Sequence, residues 1–340
     1  MTIEPITRRA LLGAAAGALA GAALFRRPAW AQGVPINISY HPAYSRVHAM
    51  QIAKLPEGEG LKPDWIKFTS GPPTVYAFQA GSVDVGVLGI PPIMGGLAAG
   101  QRLKVIAIDS DYTQGEGLMA RPGAGIERLE DVKGKRIGTI KGTSAHFSLV
   151  TALKKANLTP NDVRIVFLDG ATLAPAFAAG DIDAAWIFQP FWYILADRGG
   201  RAVVTDRELG IPAIGLWIGR EDWLLKNRAT CEKFLVALER SVEARRVHRD
   251  AVIQRLSSTI GLTPQIAERL YVGDVAVSLA EQVKDSHPLS LTAGPGKGLA
   301  AFLNSVAEFL AEQKIIPGKP DAGAAVDGSF ALAALERMRR

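Results

Sequence analysis

The segment Lys141-Gly142-Thr143-Ser144-Ala145-His146 puts a glycine, two hydroxyls and an imidazole between a predicted strand and a predicted helix. A glycine lets backbone come close to a ligand, and the first N–H groups of a helix have no partner inside it. Together with the helix dipole, such an end holds an anion; Thr143 and Ser144 either add donors or cap the helix. Two more loops fall at the carboxyl ends of predicted strands: Ser70-Gly71-Pro72-Pro73, a good helix starter, and Gly89-Ile90-Pro91-Pro92. Trp186, Phe188, Phe191, Trp192 and Tyr193 surround a fourth, where they either pack the core or wall an apolar ligand body.

Catalytic readings are poorer. Gly142-Thr143-Ser144-Ala145-His146 half-matches the G-x-S-x-G nucleophile elbow, with His146 replacing the last glycine. A hydrolase built on Ser144 needs a later base, yet His248 and His287 lie in helical or polar stretches with no strand before them. The chain has no H-E-x-x-H, no C-x-x-C and no G-x-x-x-x-G-K-[ST], and no G-x-G-x-x-G follows a strand. No catalytic residue, metal or cofactor is expected.

Positioning these loops requires an alternating framework. Strands predicted at 36–40, 64–69, 83–88 and 103–109 alternate with helices at 42–54, 72–80 and 92–99, which argues for a mostly parallel sheet with helices on its faces. The pattern restarts with strands at 136–140, 163–168 and 184–188 and helices at 144–157 and 173–179. An apolar segment at 213–218 and helices at 231–249, 264–271 and 298–313 close the chain. One unit occurs twice, 99 residues apart: Ala77-Phe78-Gln79-Ala80-Gly81-Ser82-Val83-Asp84, then Pro91, returns as Ala176-Phe177-Ala178-Ala179-Gly180-Asp181-Ile182-Asp183, then Pro190. It suggests two similar α/β lobes, each presenting a loop where open sheets bind ligands.

The first 31 residues stand apart. Arg8-Arg9, a small-residue apolar run to Phe25 and Ala29-Trp30-Ala31 describe an export signal of twin-arginine type, cleaved after Ala31. The run is shorter than the ~20 residues needed to span a bilayer. Residues 1–31 hold four arginines and one glutamate, so half of the net +6 leaves with them, and the remainder carries no footprint for nucleic acid. The single cysteine, Cys231, cannot form an internal disulfide.

The segments SGPPTVYAFQAGSVDVG, GIPPI, LEDVKGKRIGTIKGTSAHFSLVTALKKANL and AAGDIDAAWIFQPF together resemble the sulfonate/taurine/nitrate-type substrate-binding proteins of ABC importers, a family that includes thiamine-pyrimidine binders. The resemblance implies the α/β type II periplasmic-binding fold: lobe 1 from 34–112 plus 213–340, lobe 2 from 113–212, and crossovers near 108–118 and 205–216. It implies a periplasmic monomer that meets its ligand, an inner-membrane ABC permease and the twin-arginine export machinery. By position, ligand would touch Tyr40, His41, Tyr44, Ser70, Gly71, Gly89, Ile90, Thr143, Ser144, Ala145, His146, Phe188 and Gln189. The family often has aspartate where this chain has Ile90 and Gln189, so a neutral or anionic ligand with an apolar body is expected, not an amine. The family's pyrimidine-synthase relatives, which use a cysteine-rich motif, are the enzyme alternative.

Overall fold

The computed structural model describes residues 33–68 and 71–340; the proposed export signal and Ser70 lie outside them. The chain opens with β1 (Val34–Tyr40), α1 (Ser45–Ile52), one-turn α2 (Leu55–Gly58), β2 (Leu61–Lys67), α3 (Gly71–Gln79), β3 (Val85–Gly89), α4 (Ile90–Ala98) and β4 (Leu103–Asp111). A second series follows: β5 (Glu116–Ala120), β6 (Arg136–Thr139), α5 (Ser144–Lys155), β7 (Arg164–Phe167), α6 (Gly170–Ala179), β8 (Ala184–Phe188), α7 (Phe191–Asp197) and β9 (Arg201–Thr205). One-turn α8 (Asp206–Leu209) leads into β10 (Ile214–Arg220). The rest is helical apart from β11 (Val275–Ala276): α9 (Glu221–Lys226), α10 (Arg228–Val247), α11 (Arg249–Ile260), α12 (Pro264–Gly273), α13 (Leu279–Gln282), α14 (Gly298–Glu312) and α15 (Ser329–Arg339).

Two sheets result, ordered β11-β4-β10-β3-β1-β2 and β7-β6-β8-β5-β9. In each, three parallel strands (β2-β1-β3 and β7-β6-β8) meet one reversed strand, β10 or β5, which pairs antiparallel on both sides. That strand comes from across the molecule. β5 follows directly on β4 yet sits between β8 and β9, and β10 follows β9 yet sits between β3 and β4.

The repeated unit builds the same joint in both sheets. Gly81 and Gly180 stop α3 and α6 with φ of 74° and 81°, a left-handed backbone that glycine adopts without strain. Asp84 then accepts the N–H of Asn37 at 2.9 Å and returns its own N–H to the Asn37 carbonyl. Asp183 does the same with Arg136, again at 2.9 Å. Each aspartate thus locks the register of two parallel strands. One step on, Ser39 pairs with Gly86 and, 99 residues later, Gly138 pairs with Ala185. A Cβ on Gly86 would come within 1.8 Å of Ser39 Oγ, so the first pair has room for one side chain there; a Cβ on Gly138 would meet Ile182 Cδ1 at 2.5 Å.

The first sheet's core gathers Ile38, Phe78, Ile93, Trp217, Phe234 and Leu303. The second sheet buries Trp186 and Leu149 on its α5 face, and Phe177 and Trp192 on the other. Arg46, fully buried, is held by carbonyls of Asp109, Val277 and Leu238 and by Ser241 Oγ. Those bonds offset the desolvation of its charge.

Candidate functional site: two helix starts and two buried acids

Ser45 and Ser144 are the first residues of α1 and α5 and lie 99 positions apart, so they are the same residue of the repeat. Each hydroxyl donates to a fully buried acid. Ser45 Oγ reaches Asp274 Oδ2 at 2.5 Å, and Ser144 Oγ reaches Glu116 Oε2 at 3.0 Å. In each acid the other carboxylate oxygen has no hydrogen-bond partner among the described residues.

The two starts differ in what else converges. At α1 the Ser45 N–H also donates to Asp274 Oδ2, at 2.8 Å. Behind it, Arg245 donates to Ser45 Oγ at 2.7 Å and to the carbonyls of Asp274 and Tyr271. The chain's own carboxylate therefore fills the anion position that a helix start offers. At α5 no side-chain carboxylate among the described residues takes the N–H of Ser144, Ala145 or His146.

Glu116 lies where the chain has just entered the second sheet, and Asp206 where it is leaving. Both dock on one face of α5: Asp206 accepts from Ser148 Oγ at 2.5 Å and from Trp186 Nε1 at 3.1 Å, one turn below the Ser144–Glu116 bond. Burial first, and the charge of Asp206 second, push the Glu116 carboxyl well above the ordinary range. Burial likewise pushes Asp206 up to about 7.

Two tyrosines close the site. The Tyr44 ring lies over Gly215, where a Cβ would come within 2.3 Å of it. Tyr112 donates its hydroxyl to the Ile214 carbonyl at 3.1 Å, stands over Gly89, and has its oxygen beside Ser144. Burial raises both phenols, which stay protonated donors. Tyr44, Gly89, Tyr112, Glu116, Ser144 and Gly215 so form one cluster of hydroxyls, a carboxyl and aromatic rings beside the α5 start.

Of the residues expected from sequence, Tyr44, Gly89 and Ser144 meet here. Gln189 lies beside the crossover, its buried Oε1 unpartnered and packed with the Tyr193 hydroxyl against Gly115 and Gly273. Tyr40 packs edge-on against His48 and Trp65, and His41 edge-on against Tyr44. Gly71 serves helix packing, because a Cβ there would meet Pro92 Cγ at 2.1 Å. The Ile90 side chain turns into the first sheet's core, and Ala145 into the second's. Thr143 donates its hydroxyl to the Ile140 carbonyl at 2.7 Å. His146 is enclosed edge-on by Phe167 and Phe309 and accepts the Gly142 N–H; burial, then Lys141, lowers its imidazole to about 4. Phe188 stacks edge-on with Phe191.

Sequence reasoning missed Glu116, Tyr112, Asp206 and Asp274. Two further acids, Glu116 and Asp274, arrive here from elsewhere in the chain. Asp274 is 229 residues from its serine, and no local pattern joins them.

Comparison with known proteins places this architecture. The periplasmic aliphatic sulphonate binding protein from Escherichia coli superposes with a TM-score of 0.76 at 21% identity, over 88% of this chain and 99% of that one. The alkanesulfonate-binding protein from Xanthomonas axonopodis pv. citri bound to MOPS gives 0.70 at 25% identity, over 87% and 99%. A putative aliphatic sulfonates-binding protein of Escherichia coli (strain K12) is 26% identical over 279 residues, 82% of each chain. The fold is the two-sheet, type II periplasmic-binding architecture that the sequence resemblance implied. The profile of the NMT1/THI5-like family matches residues 50–251, more than half of the chain, and the chain belongs to that family.

Proposed function

We propose that this chain is the extracytoplasmic solute-binding component of an ABC importer, capturing a small organic sulfonate or carboxylate between two lobes and handing it to an inner-membrane permease. One observation carries the site assignment: the α1 start is filled by Asp274, whereas the matching α5 start offers its N–H groups to no acid among the described residues. The relatives' names support a sulfonate. The lobes are 34–112 plus 213–340 and 113–212, a division supported by the strand membership of the two sheets. Hinge closure about 112–115 and 206–213 encloses the ligand, and the closed monomer docks on the permease. Export by the twin-arginine route, with cleavage after Ala31, places it in the periplasm.

Catalysis is not part of this reading. Ser144 bonds to a carboxyl and not to an imidazole, and its neighbour His146 is held among phenylalanines. Cys231 is buried in the first sheet's core, where desolvation pushes its thiol up and away from nucleophilic use.

Thermal-shift screening and calorimetry on residues 32–340 test the proposal, because a ligand of the native state raises its melting point. An alkyl or aryl sulfonate or a carboxylate should give the shift. S144A should weaken it by about tenfold, roughly one hydrogen bond to a charged group, while T143A changes affinity less than about twofold. Tight binding of taurine without binding of uncharged-tail sulfonates or carboxylates would sink the ligand class.

A further inference from the structure

We propose that Glu116 is a proton-controlled switch for the Ser144 donor, so that an anion is held at the start of α5 only while Glu116 carries its proton. The inference rests on the reading of the α5 start as the ligand's anion site, and it adds a control to that site.

A serine hydroxyl has one hydrogen and two lone pairs. An ionised Glu116 can only accept, so it takes the Ser144 hydrogen and leaves lone pairs facing the ligand, with its own charge close behind. A protonated Glu116 donates to Ser144 Oγ instead and frees the serine hydrogen for the anion. The 3.0 Å separation serves either direction. Glu116 exchanges its proton with solvent as the pH changes and keeps it while the anion is bound.

The surroundings favour the protonated form. Glu116 is fully buried with Oε1 unpartnered, and no cation bridges to it among the described residues. The groups facing it are acids, phenols and hydroxyls: Asp206 from α8, Tyr112 from the crossover, Tyr44 from the β1–α1 turn and Ser144 from α5. Its β8 neighbour is Phe188, and His146 on α5 faces Phe167 and Phe309 instead. Nearby Arg207 lies half-exposed and turned to Asp111. Burial and Asp206 hold the Glu116 carboxyl high, and Asp206 itself sits at about 7. An approaching anion adds a further charge that disfavours ionisation. The α1 start lacks this arrangement, because Arg245 sits behind Ser45 there.

The experiment is calorimetry of the mature chain with ethanesulfonate at pH 6.0, 7.0 and 8.5, each in two buffers of different ionisation heat. Affinity should fall at least ~10-fold from pH 6.0 to 8.5, with proton uptake on binding above pH 7, as one linked proton requires. E116Q, which cannot ionise, should show less than about a threefold change across the same range. D206N should move the fall to lower pH by removing a neighbouring negative charge. Wild-type affinity constant within about twofold, without proton uptake, overturns the switch and leaves the anion site standing. An E116Q profile identical to wild type overturns it too. Absence of ethanesulfonate binding at every pH overturns the site reading and the switch together. If E116Q does not fold, the wild-type profile and proton count decide alone.

Discussion

At α1 a serine hydroxyl, a backbone N–H and an arginine gather around Asp274, while at α5 the equivalent serine meets Glu116 with no arginine behind it among the described residues. The same contrast recurs lower in the two sheets. Asp183 holds Arg136 through side chain as well as backbone, at 2.7 and 3.2 Å, whereas Asp84 has Asn37 at that position and borrows Arg220 at 3.8 Å. The backbone joints are preserved between the copies, and the charged partners are not. A repeated unit keeps what fixes strand register, and is free to fill the helix start of one copy with an internal acid and leave that of the other unfilled among the described residues.

The sharpest way to break this comparison is to empty the filled start. D274A should destabilise the protein by about 2–4 kcal/mol, because the Ser45 N–H and hydroxyl lose their buried acceptor. Added sulfate should restore part of that loss, and urea titrations with and without it measure both. A loss under about 1 kcal/mol would show that the acid does not hold α1.

Next comes the space between paired strands. G86A should cost about 1–3 kcal/mol by overpacking against Ser39. The double variant S39G/G86A recreates the Gly138–Ala185 arrangement of the second sheet and should recover most of the loss. A double variant no better than the single one removes the equivalence.

The aspartates should differ in pH response. Arg136 hydrogen bonds lower Asp183, so its contribution is present above the unfolded carboxylate range and fades as pH falls through the folded value. Burial raises Asp84, so its contribution is largest at low pH and is lost as pH rises through the folded value. The penalty of D183N should therefore grow from pH 3.5 to 7, and that of D84N should shrink. Denaturation curves with the same slope for both would contradict the assignment.

The smallest effect concerns His146, whose counterpart in the first copy is buried Val47. With its imidazole lowered to about 4, its share of stability is full above the unfolded value near 6.5 and is lost as pH falls toward 4. H146V should cost about 1 kcal/mol at pH 7 and less at pH 5. A gap that widens on acidification would mean the imidazole is charged in the fold.

Much of this framework was legible in the chain. The doubled Ala-Gly-x-x-Asp unit announced two equivalent sheets, and the Gly-Thr-Ser turn marked the α5 start, because local backbone rules govern both. The side-chain directions were not legible. Ile90, Ile93 and Met94 share the buried side of α4, so the helix phase turns Ile90 inward from a loop that looks ligand-facing. Thr143 reads in sequence as either a ligand donor or a helix cap, and its own turn supplies a nearer carbonyl at Ile140. α7 went unread because seven residues headed by Phe191-Trp192-Tyr193 look like an aromatic wall before they look like a helix. Glu116, 28 residues from Ser144 in a short crossover, belongs to no periodic pattern.

The traded strands β5 and β10 also set an order of completion. All five strands of the second sheet come from one unbroken stretch, 116–205, so that sheet is fully encoded once the chain has reached Thr205. The first sheet, begun at Val34, lacks its interior strand until Arg220 has been added. Until then β3 and β4 present open edges toward each other, with no strand to pair them. The half of the molecule that is started first is the half that closes last, around a partner that is already whole.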